Sequence, residues 1–215
     1  MYHQQAMARI GIFGGTFDPL HNGHVIMAQE AVELAALETL IVIPARQAPH
    51  KEKAPGLSAE KRFSLLQEVL GRLPRVRISD VEMRPKGPRF TVDTITTLRR
   101  DHPNDEFCFL IGSDSLHELH TWHAVDRLAG LVTFLVAPRP GFDPTVPPAA
   151  LRALPGLRLE VIPSTPVAIS STLVRRRASE GRGLAGYVPE CVAAAVLAEG
   201  CYAGSGGGGG TPSSG

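Results

Sequence analysis

The stretch RIGIFGGTFDPLHNGHV, residues 9–25, runs an apolar segment into two glycines, an Asp-Pro pair and two histidines three apart. Ile10 to Phe13 is continuously apolar rather than alternating, the pattern of a parallel strand covered on both faces. Gly14 and Gly15 follow where that strand should end, and their missing side chains let backbone approach a phosphate closely. Asp18-Pro19 reads as a stiff turn, since proline fixes its own φ and biases the preceding residue to extended forms. A helix is expected from Asn22, its N-terminus offering free N–H groups and a positive dipole end to an anion. His21 and His24 can share one face at that end. Together these parts suit a phosphate undergoing transfer, although an HxxH pair alone is more often a tight turn with solvated histidines. The glycine spacing is neither GxGxxG nor GxxxxGK[ST], which argues against a dinucleotide fingerprint and a P-loop.

Outward from this stretch, short β-branched runs alternate with helical patterns. Strands are expected over 9–13, 39–44, 76–79, 107–112, 131–137 and 157–162, and helices over 22–37, 59–73, 91–100 and 120–128. Ser58 is placed to N-cap the second helix, with Glu60 in its first turn. Val25, Ala28, Val32 and Ala35 form one apolar stripe on the first. Two closing helices are expected over 171–180 and 189–199. The alternation predicts an α/β fold: a doubly wound, Rossmann-like parallel sheet of five to six strands with C-terminal helices. One domain is expected over 9–202. Residues 1–8 read as a disordered extension and 203–215, rich in glycine and serine, as a flexible tail. The segment 138–155, rich in proline and glycine, reads as a long surface loop.

The 215 residues suit one medium-sized domain with a core able to stand alone. Lys and Arg number 22 against 21 Asp and Glu, so the basic excess usual in a nucleic-acid binder is missing and no such partner is expected. The three cysteines, Cys108, Cys191 and Cys201, form no CxxC pair, which indicates neither a disulfide framework nor a zinc site. The first residues contain no apolar h-region, and no run reaches the length of a membrane span. A cytoplasmic protein without a membrane partner is expected, and a homo-oligomer is left open.

The stretch GGTFDPLHNGH resembles the HxGH signature of the nucleotidylyltransferase superfamily, in the long form typical of bacterial nicotinate-nucleotide adenylyltransferases. ISSTLVR, residues 169–175, matches the superfamily's ISSTxxR. APHK (48–51), FTVDT (90–94), GSDSLHELHTWHAVDRL (112–128) and YVP (187–189) resemble the same family, so the likeness runs from about Arg9 to Cys201. Ala48 stands where a proline is common, and Phe90 where a tyrosine is common. The resemblance implies adenylyl transfer from ATP to nicotinate mononucleotide, giving deamido-NAD and pyrophosphate by direct attack without a covalent intermediate. Such transfer rests on positioning and charge stabilisation. Mg²⁺ is implied as a bridge on the triphosphate. With no dense carboxylate cluster, the ion is expected to be held by phosphates and water rather than by a protein metal site.

By the same resemblance, His21, His24, Lys51 and Arg175 are the catalytic candidates. ATP would meet Gly14, Gly15, Thr16, both histidines, Gly112, Asp114, Ile169, Ser170, Ser171, Thr172 and Arg175. The mononucleotide would meet Thr16, Phe17, Lys51, Thr91 and Trp122, with the indole on the nicotinate ring and Thr91 at its carboxylate. Ordinary readings stand beside these: a solvated loop lysine for Lys51, a turn plus N-cap for Gly112 and Asp114, and a core-edge tryptophan for Trp122. His117, His120 and His123 recur every three residues but drift around a helix and lack an acidic or cysteine partner, so a metal site there is disfavoured. Arg175, Arg176 and Arg177 emerge about 100° apart and cannot all face one ligand; the last two read as solvated. The competing functions are another transferase of the superfamily, such as one acting on phosphopantetheine, and a silent nucleotide-binding module.

Overall fold

The computed structural model describes residues 7–46 and 56–202. Six parallel strands form one sheet in the order β3-β2-β1-β4-β5-β6: β1 Arg9–Gly15, β2 Thr39–Pro44, β3 Val76–Ile78, β4 Glu106–Gly112, β5 Thr133–Ala137 and β6 Arg158–Val161. The chain winds outward from β1 to β3, returns, and winds the other way from β4 to β6. The switch point therefore falls between β1 and β4, where Ile12 stands opposite Phe109. Ligands in such sheets bind beyond the carboxyl ends of the strands at that point.

Side chains of β1 divide the core between the two faces. Phe13 joins Ala28, Ala31, Val32, Leu66 and Val192 on one side. Ile10 and Ile12 join Ile95, Phe107, Phe109 and Phe134 on the other. Ile12 is fully buried, and covering a side chain of that size stabilises the fold by about 2 kcal/mol. Burial on both faces is why the strand is an apolar run.

The helices are α1 Asn22–Leu34, α2 Ala59–Val69, α3 Thr91–Asp101, α4 Ser113–Glu118, α5 Val125–Leu131, α6 Ala149–Arg152, α7 Ser171–Ser179 and α8 Glu190–Ala198. Ser58 caps α2 by accepting from Lys61 N at 3.1 Å, as expected. The stripe on α1 is also as expected, with Ala28, Val32 and Ala35 buried. Four expectations are corrected. Helix α1 stops at Leu34 because Ala36 turns into the left-handed region, φ 50°, without a glycine to announce it. The helix expected over 59–73 ends at Val69 and tightens into a 3₁₀ turn, Leu70–Arg72. The segment 138–155 contains the short helix α6, anchored by fully buried Leu151. The helix expected over 120–128 is interrupted: a 3₁₀ turn, Leu119–Thr121, gives way to extended Trp122, and α5 starts only at Val125. Ala8 belongs to the folded body, its N–H donating to Asp105 and its carbonyl accepting from Glu106.

Candidate active site

Two histidines close the N-terminus of α1 on each other. His21 is the N-cap; its Nδ1 accepts from His24 N at 3.3 Å, while His24 Nδ1 accepts from His21 N at 3.2 Å. This is a capping box built from imidazoles in place of Ser and Glu. The rings stack with centroids 3.6 Å apart, and His24 lies edge-on to Phe17 at 4.9 Å. A nitrogen that accepts carries no proton, so each neutral ring holds its hydrogen on Nε2. Burial pushes His21 down to about 3, with the Arg139 guanidinium adding to the effect. Burial, then His21 and Arg139, hold His24 well below the usual range as well. The pair is a set of neutral N–H donors in the free protein. Gly23 separates them because a Cβ there would come within 3.1 Å of the His21 ring and of the Ile169 carbonyl.

Both imidazoles line a cavity of about 440 Å³ at the switch point. Gly14, Gly15 and Thr16 line it from β1, Gly112 and Asp114 from β4 and α4, and Ser170 and Ser171 from the start of α7. Thr91, at the first position of α3, and Trp122 line it as well. Eleven of the residues named from sequence thus meet in one space. A Cβ on Gly112 would lie 2.3 Å from Asp114 Oδ1, so a side chain there would displace the Asp114 carboxylate from its present position.

Other candidates stand elsewhere. Phe17 is buried against Phe13, supporting the His24 ring rather than lining the cavity. Ile169, Thr172 and Arg175 also lie outside the lining; the Arg175 guanidinium donates to the Asp18 carbonyl at 2.7 Å and to Thr172 Oγ1 at 3.1 Å. Lys51 falls outside the described residues, as does the whole of APHK. Arg177 is not simply solvated: it donates to the Gly183 carbonyl at 3.0 and 2.7 Å and lies over the Tyr187 ring. The three spaced histidines go to different places, His117 against Phe142, His120 into solvent and His123 stacked on Phe90.

Several residues of the site were not found from sequence. Arg139, after β5, brings a largely buried cation to the cavity, 3.7 Å from Asp114. Its only sequence signal is a position just beyond a strand's carboxyl end. Glu82 and Thr94 also line the cavity. Beneath the floor, the Asp18 carboxylate accepts from Gly56 N and Leu57 N and from the Tyr202 hydroxyl. Arg62, 1% exposed, donates to the carbonyls of Thr16, Ala45, Arg46 and Leu57. These partners are far apart in sequence, and nothing in the local pattern links them.

No group of three or more His, Cys, Asp or Glu among the described residues could cage a metal ion. Asp18 is occupied by its three donors and Asp114 faces Arg139. The donor set therefore does not fit a divalent cation held by protein side chains.

A doubly wound parallel sheet with imidazole donors and bare glycine backbone at its switch point defines an α/β nucleotide-binding enzyme built for phosphate chemistry. A cytidylyltransferase-like family model matches residues 12–177. A "Probable nicotinate-nucleotide adenylyltransferase" of Geobacillus thermodenitrificans is 40% identical over 196 residues, 91% of this chain and 87% of the relative. One of the same name from Thermomicrobium roseum is 41% identical over 198 residues, 91% and 92% of the two chains. In structure the chain resembles Plasmodium falciparum nicotinic acid mononucleotide adenylyltransferase complexed with NaAD, with a TM-score of 0.73 at 20% identity over 91% of this chain and 97% of that one. The chain belongs to the cytidylyltransferase-like family and, within it, to the nicotinate-nucleotide adenylyltransferases.

Proposed function

We propose that the protein transfers the adenylyl group of ATP to nicotinate mononucleotide, a step of NAD synthesis in the cytoplasm. A phosphate oxygen of the mononucleotide attacks the ATP α-phosphorus in line. The new P–O bond forms as the bond to the β-phosphate oxygen breaks, and pyrophosphate leaves without a covalent enzyme intermediate. ATP enters as its Mg²⁺ complex, the ion held by phosphates and water.

The observation that carries this reading is the capping histidine pair. Two neutral imidazoles with Nε2–H donors stand at a helix N-terminus inside a cavity flanked by Gly14, Gly15 and Gly112. Donors already in place where charge develops on a phosphate are worth far more than donors that must reorganise. His24 is assigned to the α-phosphate in the transition state and His21 to the adjoining oxygens. Thr16, Ser170, Ser171 and Thr172, with Ile169 backbone and Arg175, are assigned to the β- and γ-phosphates. Gly112 and Asp114 face the riboses, Lys51 and Arg139 serve the mononucleotide phosphate, and Thr91 and Trp122 take the ring.

The test is pyrophosphate release with ATP and nicotinate mononucleotide, beside the amide analogue and phosphopantetheine. Turnover is expected with the nicotinate form above the amide and none with phosphopantetheine. His24→Ala should lower kcat by about 10²–10³. Turnover on phosphopantetheine, or none on any substrate, overturns the reading.

A further inference from the structure

Two aromatic pairs also line the cavity. Phe90 stacks on His123 at 4.1 Å, and Trp122 stands edge-on to Phe109 at 5.7 Å. A carboxylate lines the same cavity. Glu82, in the connection between β3 and α3, accepts from Thr94 Oγ1 at 2.7 Å and forms no ion pair among the described residues. The cavity's other acid, Asp114, lies at the end of β4 beside Arg139. A half-buried carboxylate without a cation is costly unless a ligand supplies one.

The proposed substrate has such a cation. The nitrogen of its pyridine ring is quaternary and permanently positive, whereas the adenine of ATP is neutral. We infer that Glu82 is a specificity-determining residue whose carboxylate is the counter-charge for the pyridinium of the mononucleotide. This rests on the function proposed above and adds to it the reason that a charged ring is accepted beside Glu82 and a neutral base is not.

The Thr94 hydroxyl fits that role. It lies 2.7 Å from Glu82 Oε1 and 3.2 Å from the Phe90 carbonyl, with one hydrogen to give. With Glu82 ionised, the hydroxyl donates to the carboxylate. With Glu82 protonated, the acid donates to Oγ1 and the hydroxyl turns to Phe90. The carboxyl keeps its place in both states while its charge follows the ligand. In the free protein, burial holds Glu82 above the usual carboxylate range. A pyridinium beside it acts in the opposite direction and favours the ionised carboxylate. The other ionisable groups of the lining are His21, His24, Arg89, Asp114, His123 and Arg139.

The experiment is steady-state kinetics of the full chain with Glu82→Gln, Glu82→Asp and Thr94→Val, varying each substrate in turn. Glu82→Gln keeps an acceptor for Thr94 and removes the charge. It should raise KM for nicotinate mononucleotide about tenfold or more and leave KM for ATP and kcat within about twofold. Glu82→Asp should restore most of the loss, and Thr94→Val, which removes a hydrogen bond but not the charge, should raise KM for the mononucleotide less than Glu82→Gln does. The 1,4-dihydro mononucleotide, whose ring is neutral, should bind wild type much more weakly than the pyridinium form. That preference should collapse in Glu82→Gln. If wild type turns over and Glu82→Gln leaves KM for the mononucleotide unchanged, or shifts KM for ATP equally, the inference falls. If wild type does not use ATP with nicotinate mononucleotide, the proposed function falls instead.

Discussion

His21 does two things with one ring. Its Nδ1 caps α1, and its remaining N–H is left for the cavity. The cost is a buried imidazole that resists protonation. Its folded pKa, about 3, lies below the ordinary value of 6.5, so the unfolded chain takes up the proton first as pH falls. The stability is then complete above pH 6.5 and is lost progressively toward pH 3, by about 1.4 kcal/mol for each pH unit crossed between those values. His24 acts in the same direction. Asparagine caps helices well and does not titrate. Urea unfolding from about pH 7.5 to about pH 4 should therefore show a shallower acid loss for His21→Asn than for wild type. Parallel curves would mean that the imidazole is not the titrating group.

At the scale of elements, α7 carries adjacent arginines with separate duties. Arg175 reaches back to the Asp18 carbonyl and Thr172, toward the turn that follows β1. Arg177 holds the Gly183 carbonyl and the Tyr187 ring. A guanidinium makes two parallel hydrogen bonds and stacks on a ring, which an ammonium does not copy. Arg175→Lys is expected to raise KM for ATP several-fold at nearly unchanged stability. Arg177→Lys should leave KM for ATP unchanged and cost about 1 kcal/mol of stability. Varying ATP in kinetics and measuring thermal unfolding separates the two. Equal kinetic defects would remove the ATP assignment of Arg175.

For the whole molecule, the end of the described chain returns beneath the site. Tyr202 donates to Asp18, whose carboxylate also holds Gly56 and Leu57, and its ring fills the space beside Gly56. Burial and the neighbouring carboxylate keep that phenol protonated through the whole working range. Arg62 ties the turns after β1 and β2 together through four carbonyls. The low-complexity residues beyond Tyr202 offer no apolar surface for a core. A chain ending at Tyr202 should unfold within a degree or two of the full chain. One ending at Gly200 should lose on the order of 2 kcal/mol, because Asp18 is left buried with a donor missing. Calorimetry of both chains is the check, and equal melting temperatures would dismiss the clasp.

Sequence alone determined the alternation of strand and helix, the two-faced burial of β1 and the glycine and histidine punctuation after it. These are local properties, readable from period and turn chemistry. It also located Gly112, Thr91, Trp122 and Ser170 through motifs, although the continuous helix expected around Trp122 would have turned that ring elsewhere. The break before α5 has no Pro or Gly to signal it; a tertiary choice puts Ala124 at φ 48° and leaves Trp122 extended into the cavity. Only the fold joins residues 62, 18 and 202, brings Arg139 beside the histidines and leaves Glu82 without an ion pair among the described residues. A charge or a buried carbonyl has no period in sequence. Its partner is decided by which strand ends the crossovers bring together, and here that is the switch point between β1 and β4.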